Sequence, residues 1–114
     1  MIDGVHTILY ADDAEAARAF FRDVLGLDAV DAGDGWLIFA LPPGELACHP
    51  ASAVRHELFL MCRDLDATVA ELEAKGVELT SPIIDAGFGR MTRLRVPGAG
   101  ELGLYEPAHA SPLF

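Results

Sequence analysis

The hydrophobic and polar positions at the start of the chain predict a strand, a helix and a sharp end to that helix. Apolar and polar side chains alternate over 5–11, which is the period of a strand with one buried face. Asp12 or Asp13 then stands where a helix N-cap is expected, and apolar residues recur at helical spacing over 16–25. Gly26 follows, at the position that favours a left-handed backbone after the last helical turn.

The same order returns in the second half of the chain. A short apolar strand is predicted over 56–62, Asp64 is the expected N-cap, and helical spacing continues over 65–74 before Gly76. A strand–helix unit that occurs twice constrains the fold more strongly than any single motif. Turn residues between apolar runs predict further strands, which lie over 36–41, 45–49, 78–80, 90–96 and 101–105.

These elements predict an α+β fold of two βαβββ modules, about 1–50 and about 54–107, in a single domain spanning 1–114. A chain of 114 residues is long enough for one compact core but not for two independent ones, so the modules have to share a structure. Each helix covers only one face of its sheet. The prediction is therefore a cup-shaped mixed sheet that has its helices on the outer face and an open concave side.

The charge balance bears on partners more than on the fold. A net charge of −10 disfavours nucleic acid and anionic membranes, because binding a polyanion requires clustered Lys and Arg side chains. No apolar run approaches the length of a membrane span, and the first residues carry no basic segment before an apolar stretch. The two cysteines, Cys48 and Cys62, form no Cys-x-x-Cys motif. We therefore expect a cytoplasmic protein with reduced thiols.

Four segments carry a family resemblance: the strand with His6, the turn at Asp13, the run Phe-Phe-Arg-Asp-Val-Leu-Gly-Leu over 20–27, and the ending over 96–107. Together they resemble the vicinal oxygen chelate (VOC) superfamily. That superfamily includes glyoxalase I, bleomycin-resistance proteins, fosfomycin-resistance transferases and extradiol dioxygenases. The resemblance implies paired βαβββ modules, often in a homodimer, with a small molecule held in the cup.

The resemblance also implies where metal-dependent members hold a divalent cation such as Zn, Ni, Mn or Fe. His6 stands at the first ligand position of those members. Glu57 stands at the matching position of the second module, and His56 is one residue earlier, on the opposite face of the strand. A shift of one residue in the strand register would exchange Glu57 and His56.

This sequence matches the other two metal-ligand positions of the superfamily less well. Gly103 stands where metal-binding members have a Glu in the last strand, and glycine has no side chain that could coordinate a metal. The fourth position falls within 45–49, where His49 and Glu45 remain alternatives. Because a catalytic metal usually needs three protein ligands, the set in this sequence is incomplete.

The alternation of strand residues places further side chains in the cup. Aromatic rings and soft methionines suit a planar or apolar ligand, and the missing side chain at Gly103 is expected to leave room for it. The alternative is that the same residues fill a collapsed core. The predicted lining consists of Tyr10 beside His6, Phe59 and Met61 beside Glu57, Tyr105 beside Gly103, and Trp36 and Phe88 at the rim.

Three of the eight basic residues, Arg90, Arg93 and Arg95, lie close together in the sequence, and Arg93 and Arg95 share one face of a predicted strand. One interpretation is that Arg93 recognises a carboxylate or phosphate on a ligand. The other is that these arginines lie on a solvated face and form ion pairs with nearby Asp and Glu.

Three functions are compatible with these residues. The first is a protein that binds a small planar or apolar molecule in the cup and needs no metal. The second is a metal-dependent lyase, isomerase or dioxygenase of the glyoxalase type that uses His6 and Glu57, with Glu57 as metal ligand or general base. The third is a metal-free acid–base enzyme that uses the same two residues.

Overall fold

The computed structural model describes residues 6–45, 47, 50 and 52–110, and it has two helices and two sheets within them. In chain order the elements are α1 (Ala14–Ala19) with a π-helical turn (Phe20–Val24), β1 (Ala29–Asp31), β2 (Leu37–Phe39), β3 (Phe59–Met61), α2 (Leu65–Ala74), β4 (Ile84–Asp85), β5 (Gly89–Val96) and β6 (Gly100–Pro107). The two-stranded sheet has the order β1-β2, and the four-stranded sheet has the order β3-β6-β5-β4.

The first helix begins at the predicted cap and ends at the predicted glycine. The Asp13 side chain accepts a hydrogen bond of 3.0 Å from the Ala16 backbone N–H. The last turn widens into a π-helix, in which the Leu25 N–H donates to the Phe20 carbonyl five residues earlier at 3.2 Å. Gly26 ends the helix with a φ of 67°, a left-handed conformation that glycine adopts without steric cost.

The second helix spans the residues that the sequence predicted, Leu65–Ala74. The Asp64 side chain accepts a 3.0 Å hydrogen bond from the Ala67 N–H, as expected of an N-cap. A second carboxylate reaches the same helix end from the sheet, because Glu106 Oε2 accepts a 2.7 Å hydrogen bond from the Leu65 N–H. The start of α2 is therefore tied directly to the end of β6.

The four-stranded sheet is built around the hairpin of β5 and β6. These strands pair antiparallel over their whole length, from Gly89 opposite Pro107 to Val96 opposite Gly100. On the other side of β6, β3 pairs parallel. The sequence did not predict β4, and the strand predicted over 78–80 is reduced to a single bridge between Leu79 and Leu94.

The core lies between the helices and the sheet, and both halves of the chain contribute to it. The Asp13 N–H donates to the Gly98 carbonyl at 2.9 Å, which joins the start of α1 to the β5–β6 turn. Because one core contains residues from both halves, neither half buries its apolar face alone. The buried apolar residues are Ala17, Phe20, Phe21, Leu65, Leu72, Val77, Leu94, Val96, Leu102 and Leu104.

The first half contains less regular structure than predicted. Residues 6–11 are assigned to no strand and pair with no strand in the described part of the chain. The strand predicted over 36–41 is shorter, Leu37–Phe39. Glu45 and Ala47 are not in a strand, and the rest of the strand predicted over 45–49, including Cys48 and His49, lies outside the described residues. A strand needs a neighbour for its backbone hydrogen bonds, and no described strand lies beside 6–11.

Among the described residues, no helix combines the length and the apolar character that a membrane crossing requires.

Candidate functional site

One face of the four-stranded sheet packs on α2 and the core, and the opposite face is open. Along β5, Thr92, Leu94 and Val96 are buried, whereas Arg93 and Arg95 between them are exposed, as strand alternation requires. We call the side of the sheet that carries Arg93 and Arg95 the open face. It consists of Phe59 and Met61 of β3, Ile84 of β4, Gly89, Met91, Arg93 and Arg95 of β5, and Glu101, Gly103 and Tyr105 of β6.

Tyr105 lies in the middle of the open face. The strand register places it directly beside Met61 on one side and Met91 on the other. Its ring makes edge contacts with two more aromatic rings, Phe59 at 6.0 Å and Phe88 at 6.1 Å between centroids. We call Phe59, Phe88 and Tyr105 the aromatic platform. Four of the seven side chains predicted to bind a ligand, Phe59, Met61, Phe88 and Tyr105, are thus brought together.

Two glycines allow these rings to lie against the sheet. A Cβ atom on Gly103 would stand 2.2 Å from Cδ1 of Phe59, and one on Gly89 would stand 2.7 Å from Cε2 of Tyr105. The expectation that Gly103 leaves room for a ligand is therefore wrong, because the Phe59 ring fills that space. An aromatic ring beside a glycine on the neighbouring strand covers the exposed backbone and is a known way of stabilising a sheet.

The arginines of β5 form ion pairs with side chains of this chain. On the open face, Arg93 Nε lies 3.4 Å from Glu101 Oε2, and Arg95 Nε lies 3.0 Å from Glu78 Oε2. Both pairs are partly exposed, so each contributes little to stability. Arg93 lies in the row of Gly103 and Phe59, at the charged end of the open face.

Arg90 points to the other side of the sheet and connects it to α2. Its guanidinium donates to both carboxylate oxygens of Asp66, at 2.9 and 3.1 Å, and lies 3.7 Å from Glu106. The bidentate hydrogen bond from Arg90 lowers the pKa of Asp66. Arg90 is therefore part of the contact between helix and sheet and not of the open face.

The residues proposed as metal ligands do not form a ligand set in the described part of the chain. His6 and His56 are exposed, and Glu57 forms an ion pair of 3.2 Å with Arg55 at a partly exposed position. His49 lies outside the described residues. Within those residues, no group of three or more His, Cys, Asp or Glu side chains could hold a metal ion. At the third position, Gly103 offers no donor and the Phe59 ring fills the space. As far as the chain is described, the donors at the proposed positions thus do not fit a catalytic metal.

Two predicted ligand-binding residues lie in the first half, away from the four-stranded sheet. Trp36 precedes β2, is 66% exposed, and has the Arg18 guanidinium 5.4 Å from the centre of its ring. Tyr10 belongs to the unpaired segment 6–11 and is 90% exposed. Val30 and Ile38, which pair across β1 and β2, are exposed as well. The first half therefore exposes several large apolar side chains, which are Ile8, Tyr10, Val30, Trp36 and Ile38.

A polar cluster that the sequence did not reveal lies at the edge of the aromatic platform. The Tyr105 hydroxyl is hydrogen-bonded to His109 Nε2, and Glu45 Oε1 lies 3.8 Å from the same nitrogen. Burial, with a smaller contribution from the charge of Glu45, raises the pKa of Tyr105. The residues after Pro107 show no strand or helix periodicity in the sequence, and a histidine in such a segment carries no pattern that would reveal its partner.

A cavity of about 340 Å³ adjoins the open face at the end of β3, lined by Met61, Cys62, Arg63, Glu106 and Pro107. The Cys62 thiol contacts the Tyr105 carbonyl oxygen at 3.7 Å. Burial raises the pKa of this thiol, which reduces the fraction of reactive thiolate.

The comparisons with known proteins agree with this fold. Residues 5–103 match the model of the glyoxalase/bleomycin resistance protein/dioxygenase superfamily. No curated protein matches the chain significantly. Among solved structures, the chain is similar to TnmS3, an antibiotic binding protein from Streptomyces sp. CB03234, with a TM-score of 0.67 and 25% identity over 94% of this chain and 98% of that one.

Two further structures show the same fold at lower identity. Lactoylglutathione lyase from Agrobacterium tumefaciens has a TM-score of 0.66 and 24% identity, over 91% of this chain and 92% of its own. A superfamily member from Sphaerobacter thermophilus has a TM-score of 0.65 and 23% identity, over 92% and 98%. These likenesses confirm the α+β fold, and the match of the family model confirms the resemblance seen in the sequence. This chain belongs to the glyoxalase/bleomycin resistance protein/dioxygenase superfamily.

Proposed function

We propose that this protein binds a small, flat, largely apolar molecule on the open face. The observation that carries the proposal is the aromatic platform, in which the Tyr105 ring contacts Phe59 and Phe88 edge to face. Met61 and Met91 stand on either side of Tyr105, and their flexible thioether side chains adapt to the shape of a ligand. Such a surface provides apolar contact area and few fixed charges, which suits an uncharged aromatic molecule.

The donor chemistry of the site favours binding over metal-dependent catalysis. Glu57 is paired with Arg55, and the place of a third ligand is occupied by the Phe59 ring over Gly103. The proposed metal-free pair of His6 and Glu57 has no support either, because both residues are exposed to solvent. A general acid or base works best where solvent is excluded and a substrate is held against it, and Glu57 lies at an exposed position.

The likeness to TnmS3 supports the same proposal. That protein is an antibiotic binding protein, and the similarity extends over nearly the full length of both chains. Sequestration of a ligand requires only shape, apolar contact and a few polar anchors. The aromatic platform supplies the first two of these.

A second copy of this chain is the proposed cover of the open face. The radius of gyration is 15.0 Å, whereas a compact chain of this length is expected to have about 13 Å. β3 is at the edge of the described sheet, and the segment 6–11 has no strand partner in the described residues. In a two-fold homodimer, the exposed apolar residues of the first half of each copy would cover the open face of the other copy. The concave ligand-binding cup would then lie between the two copies.

The experiment that tests ligand binding is calorimetric titration of the purified protein with 2-naphthol, in buffer containing EDTA. We expect saturable binding, and we expect Phe88→Ala to weaken it by about fivefold or more because a stacking surface is lost. Phe88 is partly exposed and lies outside the core, so the variant should fold. Val54→Ala, at a side chain that is 93% exposed, is the matched control. Absence of 2-naphthol binding to the wild-type protein contradicts the proposal.

A further inference from the structure

The hydroxyl of Tyr105 is the polar group that the aromatic platform presents, and two residues from distant parts of the chain surround it. His109, from the segment after β6, is hydrogen-bonded to the hydroxyl and stacks beside the ring at 5.8 Å between centroids. Glu45, from the segment after β2, brings a carboxylate within 3.8 Å of His109 Nε2 and is only 15% exposed. The cluster thus joins both halves of the chain at one end of the open face.

The contacts of His109 determine the direction of its hydrogen bond with Tyr105. His109 Nδ1 lies 2.8 Å from the carbonyl oxygen of Ala110, and a carbonyl oxygen only accepts hydrogen bonds. In the tautomer that satisfies this carbonyl, the Nδ1–H donates to Ala110 and Nε2 is left as the acceptor. The Tyr105 O–H then donates to His109 Nε2, which leaves the lone pairs of the phenolic oxygen for a ligand.

The nearby carboxylate adds a charge preference. The Glu45 carboxylate lies 3.8 Å from His109 Nε2, the nitrogen to which the Tyr105 hydroxyl is hydrogen-bonded. Burial of the phenol and, to a smaller extent, the charge of Glu45 raise the pKa of Tyr105. A ligand that brings a second negative charge to this end of the platform is repelled, whereas a neutral O–H or N–H group is accepted.

We propose that the Tyr105 oxygen, oriented by His109 and flanked by Glu45, is the polar anchor of the site and selects flat aromatic ligands that donate a hydrogen bond, such as neutral phenols or aromatic amines. The inference rests on the proposed binding at the aromatic platform. It adds the chemical class of the ligand: an aromatic ring system with a neutral donor at its edge. Tyr105 touches the ligand directly, and His109 is a positioning residue.

The test compares three probes that share one ring system: 2-naphthol, which donates a hydrogen bond, 2-methoxynaphthalene, which only accepts, and 2-naphthoic acid, which is anionic at neutral pH. Dissociation constants are measured by protein-observed NMR titration. We expect the wild-type protein to bind 2-naphthol on the order of fivefold more tightly than 2-methoxynaphthalene, the ratio typical of one hydrogen bond, and to bind 2-naphthoic acid most weakly.

Two variants separate the anchor from a merely structural role. Tyr105→Phe removes the phenolic oxygen, so the preference for 2-naphthol over the methyl ether should fall to about one while the ring contacts remain. His109→Ala frees the Tyr105 O–H to donate, so binding of 2-methoxynaphthalene should improve relative to 2-naphthol. His56→Ala, at an exposed histidine, is the matched control and should leave the ratio unchanged. Thermal unfolding of each variant verifies that it is folded.

The outcomes distinguish this inference from the proposed function. If none of the three naphthalenes binds the wild-type protein, the aromatic platform is not a ligand site and both proposals are wrong. If the three bind with equal affinity, or if Tyr105→Phe keeps the preference for 2-naphthol, binding at the platform stands and the polar anchor is overturned.

Discussion

The two halves of this chain share one strand–helix sequence pattern but differ in how many of their predicted strands pair into a sheet. The second half forms a four-stranded sheet that buries one face on α2. The first half also has a helix with an Asp N-cap, but within the described residues its sheet has two strands and the segment 6–11 has no strand partner. The difference shows that the pattern specifies the helices and the buried faces, whereas the strands also need a neighbour for their backbone groups.

The exposed apolar residues show the same contrast. Tyr10, Val30, Trp36 and Ile38 of the first half are all exposed, whereas Thr92, Leu94 and Val96 of β5 and Leu102 and Leu104 of β6 are buried. Exposed apolar side chains of this kind mark an interaction surface where they lie together. If the contrast holds in solution, changes in the shared core, on the open face and in the exposed segment 6–11 should have different effects.

The largest expected effect is that of Leu94→Ala, in the shared core. Leu94 is 0% exposed, so the substitution should lower the free energy of unfolding by about 3 kcal/mol. The chain has a single tryptophan, Trp36, so its fluorescence reports on the first half alone. Because both halves contribute to one core, the midpoint of thermal unfolding should fall equally by Trp36 fluorescence and by circular dichroism. Two separate transitions would contradict the single-domain prediction.

A smaller loss is expected for Gly103→Ala, because the new Cβ would overlap the Phe59 ring. The ring has to leave its position on the sheet, which should cost about 2 kcal/mol of stability. The same variant should weaken 2-naphthol binding, because the platform loses its geometry. Gly44→Ala, where a Cβ meets no atom within 4 Å, is the control from the first half and should leave both stability and binding unchanged. Equal melting temperatures for the two variants would show that Phe59 does not cover Gly103.

The exposed segment of the first half is tested by Ile8→Asp. If a second copy covers this segment, the charge would be buried in the homodimer, and the dimer should weaken by about 1.5 kcal/mol, or roughly tenfold in its dissociation constant. Analytical ultracentrifugation over a range of concentrations measures this change. Asp12→Asn, at an exposed residue in the turn beyond the segment, is the control. A wild-type protein that stays monomeric at all concentrations rules out the proposed cover.

The smallest of these effects is expected at the helix caps, where the two halves should behave alike. Asp13→Ala and Asp64→Ala each remove one side-chain hydrogen bond to a helix N-terminus, and each should cost about 1 kcal/mol. Urea unfolding at neutral pH measures both. Glu106 accepts from the Leu65 N–H and not from the Ala67 N–H, so it does not replace the bond lost in Asp64→Ala. A clearly larger loss at Asp13 than at Asp64 would contradict the expected similarity of the two caps.

The sequence predicted the parts of the fold that local chemistry determines. The caps at Asp13 and Asp64, the glycine stops, the bounds of α2 and the β5–β6 hairpin all follow from spacing within a few residues. The π-helical turn was not predicted, because nothing in the pattern over 16–25 distinguishes a wider turn from an α-helix. The strand at 5–11 was predicted from alternation, which cannot reveal whether a partner strand is present.

The candidate site was predictable only where alternation applies. Phe59, Met61 and Tyr105 share one face because strand residues alternate, and Phe88 joins them from the adjacent loop. The effect of Gly103 was misjudged because the sequence gives no measure of how far the Phe59 ring reaches across the strand. His109 and Glu45 were missed as partners of Tyr105 because irregular segments bring them together.

The most direct test of the central claim, that the open face binds a flat aromatic molecule without a metal, uses the methionine methyl groups. The chain has three methionines, and two of them, Met61 and Met91, stand on either side of Tyr105. Protein labelled with ¹³C at the methionine methyls is titrated with 2-naphthol in the presence of EDTA, and Met61→Leu and Met91→Leu assign the signals. The account predicts saturable shifts of both methyl signals, caused by the ring current of the bound ligand. Unchanged Met61 and Met91 signals at saturating 2-naphthol, or shifts that appear only after Zn²⁺ or Ni²⁺ is added, would contradict it.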